Sequence, residues 1–183
     1  EDSPIERLQL ARRLPIGEVG EIVVTGPSVT RSYDRLPAAD AAAKIQDGER
    51  VWHRIGDLGY LDTNGRLWFC GRQAECVHRA VDVLYTDCCE AIFNQHPSVH
   101  RSALIDLGAG QAGLVIEPEA GAFPRTANKR AAFILELEAL TEAHTHLRQQ
   151  LRFFFEQRFP VDVRHNAKIH RLALARQFRA ASI

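Results

Sequence analysis

The segment 52–72 constrains the fold of this 183-residue chain more than any other part of the sequence. Its centre, Asp62-Thr63-Asn64-Gly65, has the composition of a tight turn, and residues 66–70 after it have the composition of a strand. A hairpin over this segment would bring its two ends side by side. The sequence therefore predicts a small β structure that presents the carboxylate of Asp57 and the guanidinium of Arg72 together.

This pair of side chains is suited to hold a ribose. Asp57, which the Gly56-Asp57 pattern assigns to a turn, offers two acceptor oxygens to vicinal hydroxyls when it is ionised. Arg72 presents a rigid fork of donors that fits a hydroxyl or a phosphate. A turn aspartate also commonly caps its own backbone, so these two residues alone leave a structural role open.

Two further segments accompany the hairpin in a defined order. Residues 17–27 contain the series Gly-Glu-Val-Gly-Glu-Ile and the pair Gly-Pro, and Tyr33 follows; residues 159–171 contain Lys168. In order and spacing, the three segments resemble the ATP-binding region of adenylate-forming enzymes, which include acyl-CoA synthetases, peptide-synthetase adenylation domains and luciferases. The chain departs from the family at Ser32, where glycine is usual, and at residues 166–167, where Ser/Thr-Gly precedes the lysine.

The resemblance implies a role for four residues. Asp57 and Arg72 would bind ATP or AMP through the ribose, and Lys168 would be the catalytic residue of a C-terminal loop. Its compact ammonium can meet both a carboxylate oxygen and the α-phosphate as the acyl-adenylate forms. Ala74 occupies the hinge position two places after the arginine, where the family usually has Asp or Lys.

A narrower resemblance rests on residues 165–169, residues 52–57 and residues 90–97. Together they resemble the olefin beta-lactone synthetases, which activate a long-chain beta-hydroxy acid with ATP and close it to a beta-lactone with loss of AMP. Residues 78–83 stand where CoA ligases have a glycine-containing loop near the pantetheine path. A fatty acyl-CoA synthetase and a non-catalytic nucleotide-binding or interaction fragment remain alternatives.

The resemblance also implies an organisation for the chain. No Ser/Thr/Gly-rich run that could cradle a triphosphate occurs in the sequence. We therefore expect residues 1–73 to be the small β subdomain that ends a large AMP-binding domain. Residues 74–183 would be a compact, mobile lid, so that the fold class is α+β. ATP and Mg²⁺ would be bound mainly by parts of the enzyme outside this chain, which alone would be inactive.

The implied partners are a fatty-acid substrate, the remainder of the N-terminal domain and other enzymes of olefin biosynthesis. Composition adds exclusions: the formal net charge is +0, so no basic field for nucleic acid is expected. No run reaches the ~18 apolar residues of a membrane span, and the first residues lack the pattern of a secretory signal, which favours the cytoplasm. The four cysteines contain no Cys-x-x-Cys pair, so we predict buried free thiols and no metal site.

Hydrophobic periodicity predicts the remaining elements. Asp87 and Glu90 have capping-box spacing at the start of a helix. Leu147, Leu151 and either Phe154 or Phe155 recur at helical spacing, which predicts an amphipathic helix packed on the core. The predicted strands are 20–24, 99–107 and 114–117, and the predicted helices are 37–45, 87–95, 142–157 and 172–179.

Overall fold

The structure is a computed structural model that describes residues 3–144, 147, 151–162 and 165–180. The chain divides into two compact units, Glu1–Ala74 and Glu75–Ile183. Both units mix strands with helices, which confirms the α+β class predicted from the sequence. Within the described residues, no helix is both long enough and apolar enough to cross a membrane.

The first unit is built around one long central strand. Strand β3 pairs antiparallel with β1 along its middle, with β2 at its beginning and with β4 at its end. The predicted strand 20–24 and the predicted hairpin are confirmed, while helix α1 ends two residues before the predicted boundary because Lys44 begins a strand. The elements are β1 (Gly20–Val24), α1 (Pro37–Ala43), β2 (Lys44–Asp47), β3 (Arg50–Leu61) and β4 (Leu67–Arg72), with a 3-10 turn at Leu8–Leu10 and another at Gln73–Glu75.

The second unit contains a three-stranded sheet with helices. Strands β7 and β8 are antiparallel, and β9 pairs parallel with β8. Two short antiparallel pairs, β5 with β6 and β10 with β11, complete the strands. The elements are β5 (Val77–His78), β6 (Val83–Leu84), α2 (Thr86–Phe93), β7 (Val99–Gly108), β8 (Gln111–Pro118), α3 (Ala127–Leu140), β9 (Leu151–Phe155), β10 (Val161–Asp162), β11 (His165–Ile169) and α4 (Arg171–Ala180).

The sheet of the second unit is buried on both faces. Leu104 and Leu114 belong to a core cluster that includes residues of α2 and α3, whereas Ile105 and Val115 belong to a second cluster that includes residues of α4. Successive side chains of a strand point to opposite faces, so a near-continuous apolar strand requires a core on each side. This explains the uninterrupted apolar runs at residues 103–105 of β7 and 112–116 of β8.

The predicted helix 142–157 is wrong. Residues 151–155 form β9, and the side chains of Phe153 and Phe155 pack on the first cluster while Phe154 packs on the second. The period of burial is therefore two residues, and consecutive aromatic residues suit a strand. The helix that precedes β9 is α3, which periodicity missed because few of its side chains are buried. Thr126 caps it by accepting a hydrogen bond of 3.3 Å from the backbone N–H of Lys129.

The predicted capping box at Asp87 and Glu90 is also wrong. Helix α2 begins at Thr86, and its N-cap residue Tyr85 makes no capping hydrogen bond through its side chain. Asp87 lies in the first turn, where a carboxylate favours the helix dipole. The side chain of Glu90 is buried instead, and its Oε1 accepts a 2.8 Å hydrogen bond from the backbone N–H of Leu104 in β7.

Candidate nucleotide-binding site

The structure brings Asp57 and Arg72 together as the hairpin predicted. The two residues are direct cross-strand neighbours in β3 and β4, and Arg72 Nε lies 2.9 Å from Asp57 Oδ1. The assignment of Asp57 to a turn is wrong, since the residue lies inside β3. The preceding Gly56 has φ +72°, a left-handed conformation that favours glycine and lets the strand bend at this point.

One oxygen of this ion pair lacks a hydrogen bond. Asp57 Oδ1 is buried and accepts none from the described residues, although Arg72 Nε lies 2.9 Å away and compensates its charge. Arg72 instead donates from Nη1 to the carbonyl of Ile55 at 3.2 Å, and half of its side chain is exposed. The Asp57 side chain as a whole is 21% exposed, so a ligand hydroxyl can donate to its carboxylate while the ion pair with Arg72 is kept.

Asp62 holds the turn between the two strands. Its Oδ1 accepts hydrogen bonds of 2.9 Å from the backbone N–H groups of Asn64 and Arg66, and its Oδ2 accepts one of 2.9 Å from the indole of Trp68. The indole N–H, followed by the backbone N–H of Arg66, lowers the pKa of Asp62 to about 2. The ionised carboxylate therefore fixes the turn that sets the register of Asp57 against Arg72.

A buried ion pair supports the same strand from the other side. The Arg54 guanidinium donates to Glu21 Oε2 from Nε at 2.8 Å and from Nη2 at 2.7 Å, which ties β3 to β1. Arg54 also donates to the carbonyl of Ala42 at 3.2 Å. This pair was not recognised in the sequence, since its two members stand 33 positions apart.

Lys168 lies in the second unit. It belongs to strand β11, so its assignment to a loop is wrong, and its side chain is exposed while the following Ile169 is buried. The strand pairs with β10 through Val161 and Ile169. No ion pair or hydrogen bond joins the Lys168 ammonium to the part of the chain that the structure describes.

The hinge position and the cysteines complete the predicted sites. Ala74 is exposed, at the end of the first unit and inside a 3-10 turn. All four cysteines are free; three are buried as predicted, whereas Cys88 is exposed. Burial, together with the neighbouring Cys88, raises the pKa of the Cys89 thiol to about 12. Among the described residues, no group of three His, Cys, Asp or Glu side chains could hold a metal ion.

Several known proteins are similar to this chain in sequence. An olefin beta-lactone synthetase of Xanthomonas campestris is 44% identical over 96% of this chain and 32% of its own length. A putative acyl-CoA ligase of Bacillus subtilis is 35% identical over 51% of the chain and 18% of its own length. The chain thus spans about a third of the length of the curated relatives that it matches most fully. No family model matches it.

The similarity extends to solved structures. The O-succinylbenzoate coenzyme A synthetase of Bacillus subtilis, in complex with ATP and magnesium ion, has a TM-score of 0.70 and 26% identity to this chain. The matched region covers 93% of this chain and 33% of that enzyme. Acyl-CoA ligases or coenzyme A synthetases are therefore similar to this chain both in sequence and in fold.

Proposed function

The chain belongs to the adenylate-forming superfamily and resembles the C-terminal part of its members. We therefore propose that the chain binds the nucleotide and supplies the catalytic lysine in an ATP-dependent enzyme that activates an acid. By full-length enzyme we mean a protein that contains this chain and is as long as the olefin beta-lactone synthetases that the chain matches. Its remaining parts would hold the triphosphate, Mg²⁺ and the acyl chain.

The observation that carries this proposal is the cross-strand pair of Asp57 and Arg72. The Asp57 carboxylate remains 21% exposed beside Arg72, and a ribose hydroxyl is a donor that suits it. The half-exposed Arg72 can donate to a second ribose oxygen or to a phosphate without leaving its strand. The rigid turn at Asp62 keeps the two groups in register before the nucleotide arrives.

The chemistry assigned to Lys168 is electrostatic. One carboxylate oxygen of the acid forms a bond to the α-phosphorus of ATP, and the bond from that phosphorus to pyrophosphate breaks. Negative charge on the acid and on the α-phosphate must approach each other in this step. A compact ammonium that contacts both groups stabilises the transition state, and the exposed Lys168 has no competing carboxylate among the described residues.

We further propose that the acid is a long-chain beta-hydroxy acid. The similarity to an olefin beta-lactone synthetase extends over nearly the whole chain, whereas the similarity to an acyl-CoA ligase covers about half of it. In the proposed reaction the beta-hydroxyl oxygen bonds to the acyl carbon, its proton is lost, and AMP leaves with the electrons of the broken bond. The ring is formed inside one substrate, so no external thiol is required.

The segment 78–83 supports the lactone over the thioester. Its centre is a turn closed by an ion pair between Arg79 and Asp82 and by a 2.8 Å hydrogen bond from Arg79 N–H to the Asp82 carbonyl. Val81 at the tip is 85% exposed. By the family resemblance, this turn corresponds to the glycine-containing loop of CoA ligases. The second candidate, a fatty acyl-CoA synthetase, is favoured by the half-length similarity to an acyl-CoA ligase and by the similarity in fold to a coenzyme A synthetase over 93% of the chain.

Omitting CoA should leave product formation unchanged. We expect the full-length enzyme, given ATP, Mg²⁺ and a 3-hydroxy fatty acid, to form a product lighter than the acid by one water, because the substrate carries its own nucleophile. Mass spectrometry with and without CoA measures this, and the matched fatty acid without the hydroxyl is the control. A thioester that forms only with CoA would reassign the enzyme to the acyl-CoA synthetases.

Asp57→Ala should weaken ATP binding to the full-length enzyme by about tenfold or more, since a hydrogen bond to a charged group contributes about 1.5–3 kcal/mol. Isothermal titration calorimetry measures the dissociation constant. Asp34→Ala is the matched control, because the Asp34 side chain in the same unit is 94% exposed. Equal dissociation constants for the two variants would return Asp57 to a structural role.

A further inference from the structure

Three charged side chains of the second unit form a cluster that the proposed adenylation does not use. Arg171, the first residue of α4, donates to Glu90 through two hydrogen bonds, from Nε at 2.9 Å and from Nη2 at 2.7 Å. Its Nη1 donates to Glu75 Oε2 at 3.0 Å. The side chains are only 15%, 8% and 14% exposed for Arg171, Glu90 and Glu75. The guanidinium is thus the shared partner of two nearly buried carboxylates.

The cluster depends on Arg171 for its stability. Burial raises the pKa of Glu90, and the hydrogen bonds and charge of Arg171 oppose this shift. The negative charge of Asp87 also acts on the cluster, because it favours the protonated form of Glu90 and the charged form of Arg171. Breaking a buried ion pair by removing one partner is strongly destabilising, because a charge is left without compensation. Loss of Arg171 would therefore release the elements that the cluster joins.

The strand directly before one of these elements carries Lys168. Strand β11 ends at Ile169 and helix α4 begins at Arg171, so Arg171 follows Lys168 by three positions. Ile169 is buried in the second core cluster, and the N–H of His170 donates to the Pro160 carbonyl at 2.9 Å. On the C-terminal side of Lys168, the backbone is therefore held first by the buried Ile169 and then by Arg171 in the charged cluster.

The same cluster reaches the predicted hinge. Glu75 comes directly after Ala74, and Glu90 lies in α2 while bonding β7 through the N–H of Leu104. Arg171 thus joins four parts of the unit: the residue after the hinge position, α2, β7 and the segment of Lys168. A rotation at Ala74 would then move Lys168 together with the body of this unit.

We propose that Arg171 is a positioning residue for Lys168, held by Glu90 and Glu75 so that the ammonium keeps one place relative to the body of the second unit. This inference rests on the proposed function of Lys168. Electrostatic catalysis needs a preorganised donor, and a displacement of about 1 Å can cost about 100-fold in rate. The chain attachment through Ile169 and Arg171 supplies that order without contact between Arg171 and substrate.

A double-mutant cycle on the full-length enzyme tests the inference. Arg171→Met should lower kcat for ATP–pyrophosphate exchange about tenfold, with KM for ATP changed less than about twofold, because only the placement of the lysine is lost. In the Lys168→Ala background, Arg171→Met should cause no further loss, since residues that act as a unit are not additive. Arg171→Lys should restore part of the rate, because it keeps the charge and loses the fork.

Arg179→Met is the matched control. Arg179 lies in the last turn of the same helix and donates to the carboxylate of Asp106 at 2.9 Å, but its side chain is 48% exposed. We expect this variant to retain the wild-type rate. Glu75→Gln provides a milder change that keeps the Glu90 pair, and it should lower kcat less than Arg171→Met does.

Hydrogen exchange of the backbone gives a readout that is independent of catalysis. Residues 165–169 should exchange faster in Arg171→Met and Glu75→Gln than in the wild-type enzyme, while Arg179→Met should leave them unchanged. Unchanged exchange in the first two variants, or equal rate losses in the presence and absence of Lys168, would overturn the inference. A Lys168→Ala enzyme as fast as the wild type would instead overturn the proposed function.

Discussion

Replacing Lys168 with alanine in the full-length enzyme should slow acyl-adenylate formation about 100-fold or more, the scale for loss of one preorganised electrostatic donor. ATP affinity should change by less than about twofold, because the ammonium acts mainly where charge accumulates in the transition state. Pyrophosphate release in single-turnover experiments measures the rate, and calorimetry measures the affinity. Lys168→Arg should not restore the rate, since a planar guanidinium replaces a compact point charge.

Lys129→Ala is the control for Lys168→Ala. Lys129 is an exposed lysine of the same unit, in helix α3, and its removal changes the net charge by the same amount. The rate of this variant should match the wild type. A rate for Lys168→Ala within about threefold of Lys129→Ala would show that the exposed ammonium contributes no specific stabilisation to the transition state.

Phe93→Ala should destabilise the second unit by about 3–5 kcal/mol, the range for removal of a buried phenylalanine. The Phe93 side chain is fully buried in the first core cluster, and its ring packs edge-on against Phe153 at a centroid distance of 5.8 Å. The substitution removes this aromatic contact and leaves a cavity between α2 and β9. Urea unfolding of the 183-residue chain, followed by hydrogen exchange in β7 and β8, measures the effect on this unit alone.

Leu135→Ala is the comparison for Phe93→Ala. Leu135 belongs to α3 and is 67% exposed, so its truncation should change the free energy of unfolding by no more than about 0.5 kcal/mol. A destabilisation below about 1 kcal/mol for Phe93→Ala would contradict the packing of β9 against α2. That result would instead favour the helix that periodicity predicted for residues 142–157.

The hairpin shows what local chemistry can predict. The turn residues around Asp62 and the strand composition after them specify an antiparallel pairing over a short separation, and Asp57 and Arg72 meet as a consequence. What remained hidden was the environment of Asp57, because only the folded strands β3 and β4 bury one of its carboxylate oxygens beside Arg72.

Strand β9 shows the opposite case. Apolar residues spaced by three and four positions fit a helix, and only the edge of β8 makes the same residues a strand, since a parallel neighbour satisfies their backbone groups. Sequence spacing alone carries no information about that neighbour. The helix α3 was missed for a related reason: its two buried residues, Phe133 and Leu137, form too narrow a stripe to stand out.

By itself, the sequence determined the family resemblance, the α+β class, the hairpin and the identities of Asp57, Arg72 and Lys168 as candidate site residues, because turn chemistry and motif order are local properties. Only the tertiary structure decided that Glu90 faces inward to Arg171, 81 positions away, and that Lys168 lies on a strand directly before the buried Ile169. Buried charges must be paired, and the partner of a charge is chosen by which elements the core brings together.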